Sequence, residues 1–470
     1  MDAPSLQQLM LENERLRDEI ARRDRRIEQL EKTIRDLQKR LEESSRSSKR
    51  QAAPFSKGDP KKEPETPGRK SGDQHGKHGH RPPPTPEQID EVHEAKLPDA
   101  CPDCGGGVVE DHLDEQFQTE IPRKPIIRKF NIHCGHCDKC GKNMRGRHEL
   151  QTSDATGAAA SQLGPDAQAA IVYLNKHAGM SYGKIADAFD KIIGIEVQRG
   201  ACAQIVLRAA ERLAPAYQEI EQKIIDSKHI TPDETGWRIG GVSVWLHGWV
   251  GDDGATLYAI DPRRSAEVLE EVIGIDWSGH MTHDGFSSYD RFGEAIHQQC
   301  VDHVLRRARA LLEKQIGHDK LFPGQVIDLF TDALKLRDRL AEEGVDANRP
   351  ADAERLADAY ETYTRRLEEL TARPRVEEAN ERLRKHLANH SAEWFVFLGE
   401  PGVPATNYLG EQAMRPPIVN RKVWGGNRTD DGAEAQEVDS SVIQTCKNTA
   451  INAVNFISEA LCGTVSLLFA

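Results

Sequence analysis

The chain has 470 residues, of which 37% are hydrophobic, 30% charged and 6% aromatic. At roughly 100–200 residues per domain it should hold two to four structural units, with enough apolar material for a sizeable core and a remainder that must be solvated. The 63 basic and 76 acidic residues leave a net charge of −13, which excludes a uniformly basic nucleic-acid coat but not a local basic segment. No apolar run reaches the roughly 18 residues of a membrane span. The opening MDAPSLQQLM lacks the basic and apolar regions of a secretory leader.

Residues 6–41 carry a seven-residue period. Leu6, Asn13, Ile20, Ile27, Ile34 and Leu41 share one heptad position, and Leu9, Leu16, Arg23, Leu30 and Leu37 share the other. Mostly β-branched a positions with Leu at d predict a parallel coiled coil over 1–44, hence a homodimer or higher oligomer. Asn13 at a would pair with its own copy and specify the dimer, while Arg23 at d weakens the seam. The competing reading is a single amphipathic helix lying on a core. Residues 45–94 are rich in Ser, Pro, Gly, Lys and His, and from Arg46 to Arg81 ten Lys/Arg stand against four Asp/Glu, a net of +6. So little hydrophobicity cannot offset ordering entropy. A disordered basic linker is expected, lying near phosphates or simply solvated.

Residues 95–150 hold five of the nine cysteines. Without a leader, that clustering favours metal over disulfides. Two copies of C-x-x-C-G stand out: Cys101-Pro102-Asp103-Cys104-Gly105 and Cys137-Asp138-Lys139-Cys140-Gly141. Together they would supply the four thiolates of a tetrahedral structural Zn2+ site, the glycines letting backbone N–H groups face sulfur. The gap between the pairs suits a ribbon with intervening strands. Cys134 competes, since Cys134-Gly135-His136-Cys137 is also a C-x-x-C, but only Cys137 and Cys140 carry the trailing glycine. Reduced, unliganded thiols are the alternative. Arg123, Lys124, Arg128 and Lys129, then Lys142, Arg145 and Arg147, would give the module a basic face for phosphates.

Residues 151–227 read as helical, with apolar spacing through Ile171, Leu174 and Ile185, then Ile205, Val206 and Leu213. The break at Gly194, with Gln198-Arg199-Gly200 before a new helix, fits a helix–turn–helix that turns Arg199 toward DNA, or an ordinary helical bundle. From residue 228 the pattern changes. Runs of β-formers occur at Ile230–Trp237, Val242–Val250, Thr256–Ile260 and His280–His283, with a helical pattern at Ser265–Ile273 before the last. This order predicts a multidomain α+β chain. The α/β core would occupy 228–312 and 395–450, interrupted by a charged helical insertion at 313–394 and followed by a C-terminal segment at 451–470.

Two aspartates sit where neighbouring strands would bring them to one sheet end: Asp233 in Ile230-Thr231-Pro232-Asp233-Glu234 and Asp284 in Thr282-His283-Asp284-Gly285. A buried carboxylate is costly unless paired or bound to metal, so their meeting makes sense around Mg2+, or Mn2+, which prefers carboxylate oxygens. Two such ions about 4 Å apart suit phosphodiester displacement. Glu234 rivals Asp233, but on a strand their side chains point to opposite faces. Asp290 rivals Asp284 from a helix or loop; otherwise such aspartates are ordinary turn residues. Glu411 is the candidate third acid. Asn407 and Arg415 lie four residues either side of it, sharing one helical face; a surface Glu–Arg pair is the plainer reading.

The order of a heptad N-terminus, CPDCGG…CDKCG, helices, then DETGW, DGFSSYD, C-x-x-H-x-x-R and TNYLGEQAMRPPIVNRK resembles the transposases of the insertion sequence 66 family over nearly the whole chain. The resemblance implies a DDE enzyme with an RNase H-like core, whose triad would be Asp233, Asp284 and Glu411. Cys300-Val301-Asp302-His303-Val304-Leu305-Arg306 resembles the family's Cys-Trp-Ala-His-Val-Arg-Arg segment. This carries His303 and Arg306 over as active-site or DNA-contacting residues, and Arg421 and Lys422 match the basic pair after the glutamate helix. Val301 and Asp302 replace the usual Trp-Ala, and Tyr408 stands where a second Asn is common. The implied function is binding of terminal inverted repeats, then Mg2+-dependent cleavage and strand transfer on double-stranded DNA, in the bacterial cytoplasm and at the nucleoid when bound. The rivals are a non-catalytic DNA-binding regulator derived from a transposase, and a two-metal nuclease without strand transfer.

Overall fold

The computed structural model describes residues 83–109, 111–119, 121, 124–151, 154–155, 162–463 and 468–469. The expected coiled coil at 1–44, the linker up to residue 82, and Arg123 lie outside the described residues. The chain divides into two compact units, Met1–Thr119 and Glu120–Ala470. In the first, residues 83–99 are almost wholly exposed and carry one 3-10 turn, Pro86–Gln88. An isolated bridge joins Ala100 to Gly107 around the first cysteine pair.

The second unit opens on a hairpin of β1 (Cys134–His136) and β2 (Asn143–Arg145). Three helices follow: α1 (Pro165–Lys176), α2 (Tyr182–Ala188) and α3 (Arg199–Asp226). Gly194 ends the turn after α2 with φ 77°, a left-handed conformation that glycine adopts without strain. On α3, Cys202, Ile205, Ala209, Leu213, Ala216, Ile220 and Ile224 are buried at three- and four-residue spacing, forming one apolar stripe.

The sheet has five strands: β3 (His229–Ile239), β4 (Val242–Gly251), β5 (Thr256–Asp261), β6 (His280–His283) and β7 (Ile296–Gln299), in the order β5-β4-β3-β6-β7. β3, β4 and β5 are antiparallel neighbours, whereas β6 runs parallel to β3 and β7 parallel to β6. α4 (Glu267–Ile273) lies in the crossover into β6. The four expected strands fall within one or two residues of these bounds. β7 is an addition, because Ile296-His297-Gln298-Gln299 has no run of β-formers. Its buried glutamines find partners outside the sheet: Gln298 donates to Trp394 O and accepts from Phe397 N–H, and Gln299 donates to Glu393 while its Oε1 is left without a partner among the described residues. A polar strand is tolerated in a core when its amides find such partners.

Next come α5 (Val301–Lys314), α6 (Leu321–Glu342), α7 (Pro350–Thr371), α8 (Glu378–Asn389) and the short α9 (Val396–Gly399), packed around Phe330, Trp394 and Phe395 in a core of their own. The chain returns to the sheet with α10 (Tyr408–Trp424), α11 (Asp430–Asn448) and α12 (Ala453–Cys462). Strand alternation divides the packing. Ile230, Trp249 and Leu257 share a core with α1, α3, α11 and α12, so the helical segment 165–226 belongs to the sheet's own core. Trp237, Val244, Leu246 and Tyr258 share another with Ala413 and Met414 of α10.

α11 covers the free edge of β5. Its Glu437, Ser441 and Thr445 accept the N–H groups of Ile260, Tyr258 and Thr256, and Asn448 donates to Gly254 O. Four helical residues rise about 6 Å and two strand residues about 6.6 Å, so side chains one turn apart meet successive outward donors. The cover removes a template for edge-to-edge pairing.

Candidate active site

The parallel pairing of β3 with β6 sets Ile230 opposite Met281. Asp233 and Asp284 each stand three residues further along, so they lie level where that pairing ends. Alternation turns Asp233 toward α10 and Glu234 to the other face. There Arg264 (2.9 Å) and the Tyr289 hydroxyl (3.1 Å) hold the Glu234 carboxylate. Arg264 is itself fixed, 4.6 Å from the ring centres of both Trp245 and Phe286. Glu234 is therefore a satisfied structural acid, and Asp290 is exposed in the 3-10 turn Ser287–Arg291. Asp284 closes a turn through Gly285 (φ 89°), its Oδ1 accepting the Phe286 N–H at 3.0 Å.

Glu411 arrives on the first turn of α10. The helix abuts β3 because residue 410 is glycine. A methyl group there would lie 2.6 Å from Asn407 Oδ1, 3.2 Å from Asp233 Cβ and 3.3 Å from Thr231 Cγ2. Glu411 accepts from Arg306 at 3.0 Å and lies 3.7 Å from His303 Nε2, both on α5 and themselves 3.0 Å apart. The pairing of Glu411 is thus across the fold, with Arg306, rather than along its helix with Arg415. The expected common face of Asn407, Glu411 and Arg415 is divided. Asn407 is buried at the head of α10, its N–H reaching Cys300 Sγ at 3.2 Å, and Arg415 is exposed.

Burial, then the charges of Glu234, Asp284 and Glu411, push the Asp233 carboxyl up to about 7 against the single opposing N–H of Glu234 on Oδ1. Burial and Arg306 hold His303 below the ordinary imidazole range, which keeps it neutral at pH 7. Unpaired buried polar atoms gather around the same acids: Thr231 Oγ1, His303 Nδ1 and both side-chain polar atoms of Asn407. Such groups are costly without partners. Crowded carboxylates and orphaned oxygens fit a hard divalent cation such as Mg2+ or Mn2+ in donor chemistry. Among the described residues, no three His, Cys, Asp or Glu side chains are positioned to hold an ion together, and Glu411 is turned to Arg306 and His303.

The cysteine pairs form two turns of the same design. In one, Cys101 N–H donates to Gly106 O and Gly105 N–H to Cys101 O, both at 2.9 Å. In the other, Cys137 N–H donates to Lys142 O at 2.9 Å and Gly141 N–H to Cys137 O at 2.8 Å. Gly105 and Gly141 take φ of 72° and 68°, as the trailing glycines require. Backbone N–H groups of Asp103 and Cys104 hold the Cys101 thiol below its usual range, and those of Cys140 and Lys139 do so for Cys137. Cys134 instead lies in β1, outside the turn.

Of the other basic candidates, Arg145 donates to Asp154 O (2.8 Å) and Arg147 pairs weakly with Asp154 (4.0 Å). Arg199 is exposed at the start of α3, and Lys422 is exposed on α10. Arg421 donates to Thr235 Oγ1 (3.1 Å) and to Gly236 O, which ties α10 to β3. Sequence reasoning passes over Gly410 and Arg264. A glycine beside the candidate glutamate was the available signal for the first; nothing local marks the second.

The transposase IS66 family matches this sequence over residues 160–435. The chain belongs to that family. The matched span includes Asp233, Asp284, Glu411, His303 and Arg306, so the IS66 resemblance falls on the part of the fold that gathers these side chains. The uncharacterized protein y4hP of Sinorhizobium fredii is 22% identical over 404 residues, covering 77% of this chain and 70% of its own. IS66 membership makes the function of this chain transposase-related, with DNA as the family's substrate. Among the described residues, no helix is long and apolar enough to cross a membrane.

Proposed function

We propose that the chain is a DDE transposase with an RNase H-like core that binds the terminal inverted repeats of an insertion sequence and catalyses strand cleavage and strand transfer. One observation carries this function: Asp233, Asp284 and Glu411, from distant parts of the chain, come to the same end of the sheet, where burial first, and then the charges of Glu234, Asp284 and Glu411, push the Asp233 carboxyl up to about 7. Asp233, Asp284 and Glu411 would hold Mg2+ or Mn2+. When bound, these ions supply activation of the attacking oxygen and stabilisation of the leaving oxygen in a phosphodiester displacement. Asp233 Oδ1 accepts the Glu234 N–H, which leaves Oδ2 as the oxygen that would carry the proton when the carboxyl is neutral. His303 and Arg306 steer Glu411, and exposed Arg415 and Lys422 on the same helix face the DNA backbone. Arg145, Arg147 and Arg199 add phosphate contacts, thiolates of the cysteine turns bind structural Zn2+, and the N-terminal heptads join two copies.

The test is Asp233→Asn on DNA carrying the element's own ends. End binding is expected to persist and Mg2+-dependent cleavage to vanish; continued cleavage removes Asp233 from the chemistry. A non-catalytic DNA-binding regulator is the second reading, favoured by the turning of Glu411 to Arg306 and His303. It predicts end binding by the unaltered chain with no cleavage at any Mg2+ concentration.

A further inference from the structure

α10 contains Pro416 and Pro417 in its interior. Proline has no N–H to donate to the carbonyl four residues earlier, so Pro417 leaves Ala413 O without its helical partner. Ala413 is 1% exposed, too deep for solvent to replace the bond. The replacement comes from β5: the Tyr258 hydroxyl donates to Ala413 O.

Tyr258 is itself held at every polar group. Its N–H donates to Ser441 Oγ at 2.9 Å, and its carbonyl accepts from the Tyr217 hydroxyl at 2.8 Å. Its ring and Met414 Sδ close over Gly248, where an added methyl would lie 2.8 Å from the sulfur and 3.2 Å from the ring. The tyrosine is thus a rigid strut from the sheet to the turn of α10 next to Glu411. On the far side of the prolines the helix has separate anchors, Asn420 Nδ2 to Lys176 O at 2.6 Å and Arg421 to β3. The first two turns, which carry Glu411, therefore depend on their own attachment.

We infer that Tyr258 is a positioning residue for Glu411, acting through the Ala413 carbonyl that Pro417 sets free. This rests on the transposase function above for its catalytic meaning, but not for its structural content.

The experiment uses the full chain with Tyr258→Phe, Pro417→Ala and the double variant. Three quantities are read: hydrogen exchange of the α10 amides, Mn2+ binding, and cleavage of element-end DNA. Tyr258→Phe is expected to raise exchange in the first turns of α10 about tenfold, with the rest of the fold unchanged. It should weaken Mn2+ binding several-fold and slow cleavage without loss of end binding. Pro417→Ala returns an N–H to Ala413 O, so in that background Tyr258→Phe should change each readout by less than about twofold, a non-additivity expected of directly coupled groups. A core tyrosine without this role predicts lower melting temperature with wild-type exchange in α10 and wild-type Mn2+ binding, and that result overturns the inference. So does a double variant as impaired as Tyr258→Phe alone. If the unaltered chain neither binds Mn2+ nor cleaves, the transposase function fails, while exchange and its rescue still decide whether Tyr258 holds the helix.

Discussion

Gly410→Ala probes how tightly Glu411 is set against the aspartates. The new methyl would lie 2.6 Å from Asn407 Oδ1 and 3.2 and 3.3 Å from Asp233 Cβ and Thr231 Cγ2. Carbon and oxygen need about 3.2 Å or more, so a shift of about half an ångström is required. Asn407 is 1% exposed and heads the helix, so it has little room to swing. The first turn of α10 must instead lift from β3. Overpacking of this kind costs about 1–3 kcal/mol, and replacing glycine in a helix returns up to about 1 kcal/mol, so the net loss of stability is about 0–3 kcal/mol. Activity should suffer more, because displacement of a reacting group by about 1 Å costs on the order of a hundredfold. The assay is single-turnover cleavage of end DNA at saturating Mg2+, beside a thermal melt. A tenfold to hundredfold slower cleavage with a melting temperature within a few degrees of the parent is expected. Cleavage within about twofold of the parent would refute the close-approach reasoning.

Three further outcomes follow from the packing and the charges. Burial raises the Glu437 carboxyl to about 7 from 4.5, so its penalty is absent below about pH 4.5 and complete above about pH 7. Glu437→Gln keeps an acceptor for Ile260 N–H and should be more stable than the parent by up to about 3 kcal/mol at pH 8, the gap closing as pH falls; a pH-independent difference in urea unfolding would count against it. Lys176 and Asp439 are both buried, with the ammonium lowered and the carboxyl raised chiefly by burial. Lys176 Nζ donates to Gln436 Oε1 at 3.2 Å, while neither Asp439 oxygen has a hydrogen-bond partner among the described residues, so the two groups meet only through their charges; Lys176→Met and Asp439→Leu should still be non-additive in the double variant, and strict additivity of the urea midpoints would refute the coupling. Zinc content measured on the purified chain should fall for Cys137→Ser and stay unchanged for Cys134→Ser, and the reverse pattern would reassign the ligand.

Much of this architecture was legible locally. The strands from Ile230, Val242, Thr256 and His280 announce themselves by β-formers bounded by glycine and polar turns, and the Gly105 and Gly141 turns by their spacing. Alternation along β3 correctly parted Asp233 from Glu234. β7 was not legible, since Gln298 and Gln299 become strand residues only when Trp394, Phe397 and Glu393 meet their amides. Nor does spacing reveal that Glu411 pairs with Arg306, 105 positions away in sequence.

Residue order alone therefore determined which acids were candidates and which cysteines share a turn. These depend on chemistry within a few neighbours. Tertiary structure alone decided that Asp233 and Asp284 stand level, that Gly410 lets α10 touch β3, and that Tyr258 serves a carbonyl released by Pro417. Each is a meeting of groups far apart along the backbone, governed by strand register and by how closely two elements can approach.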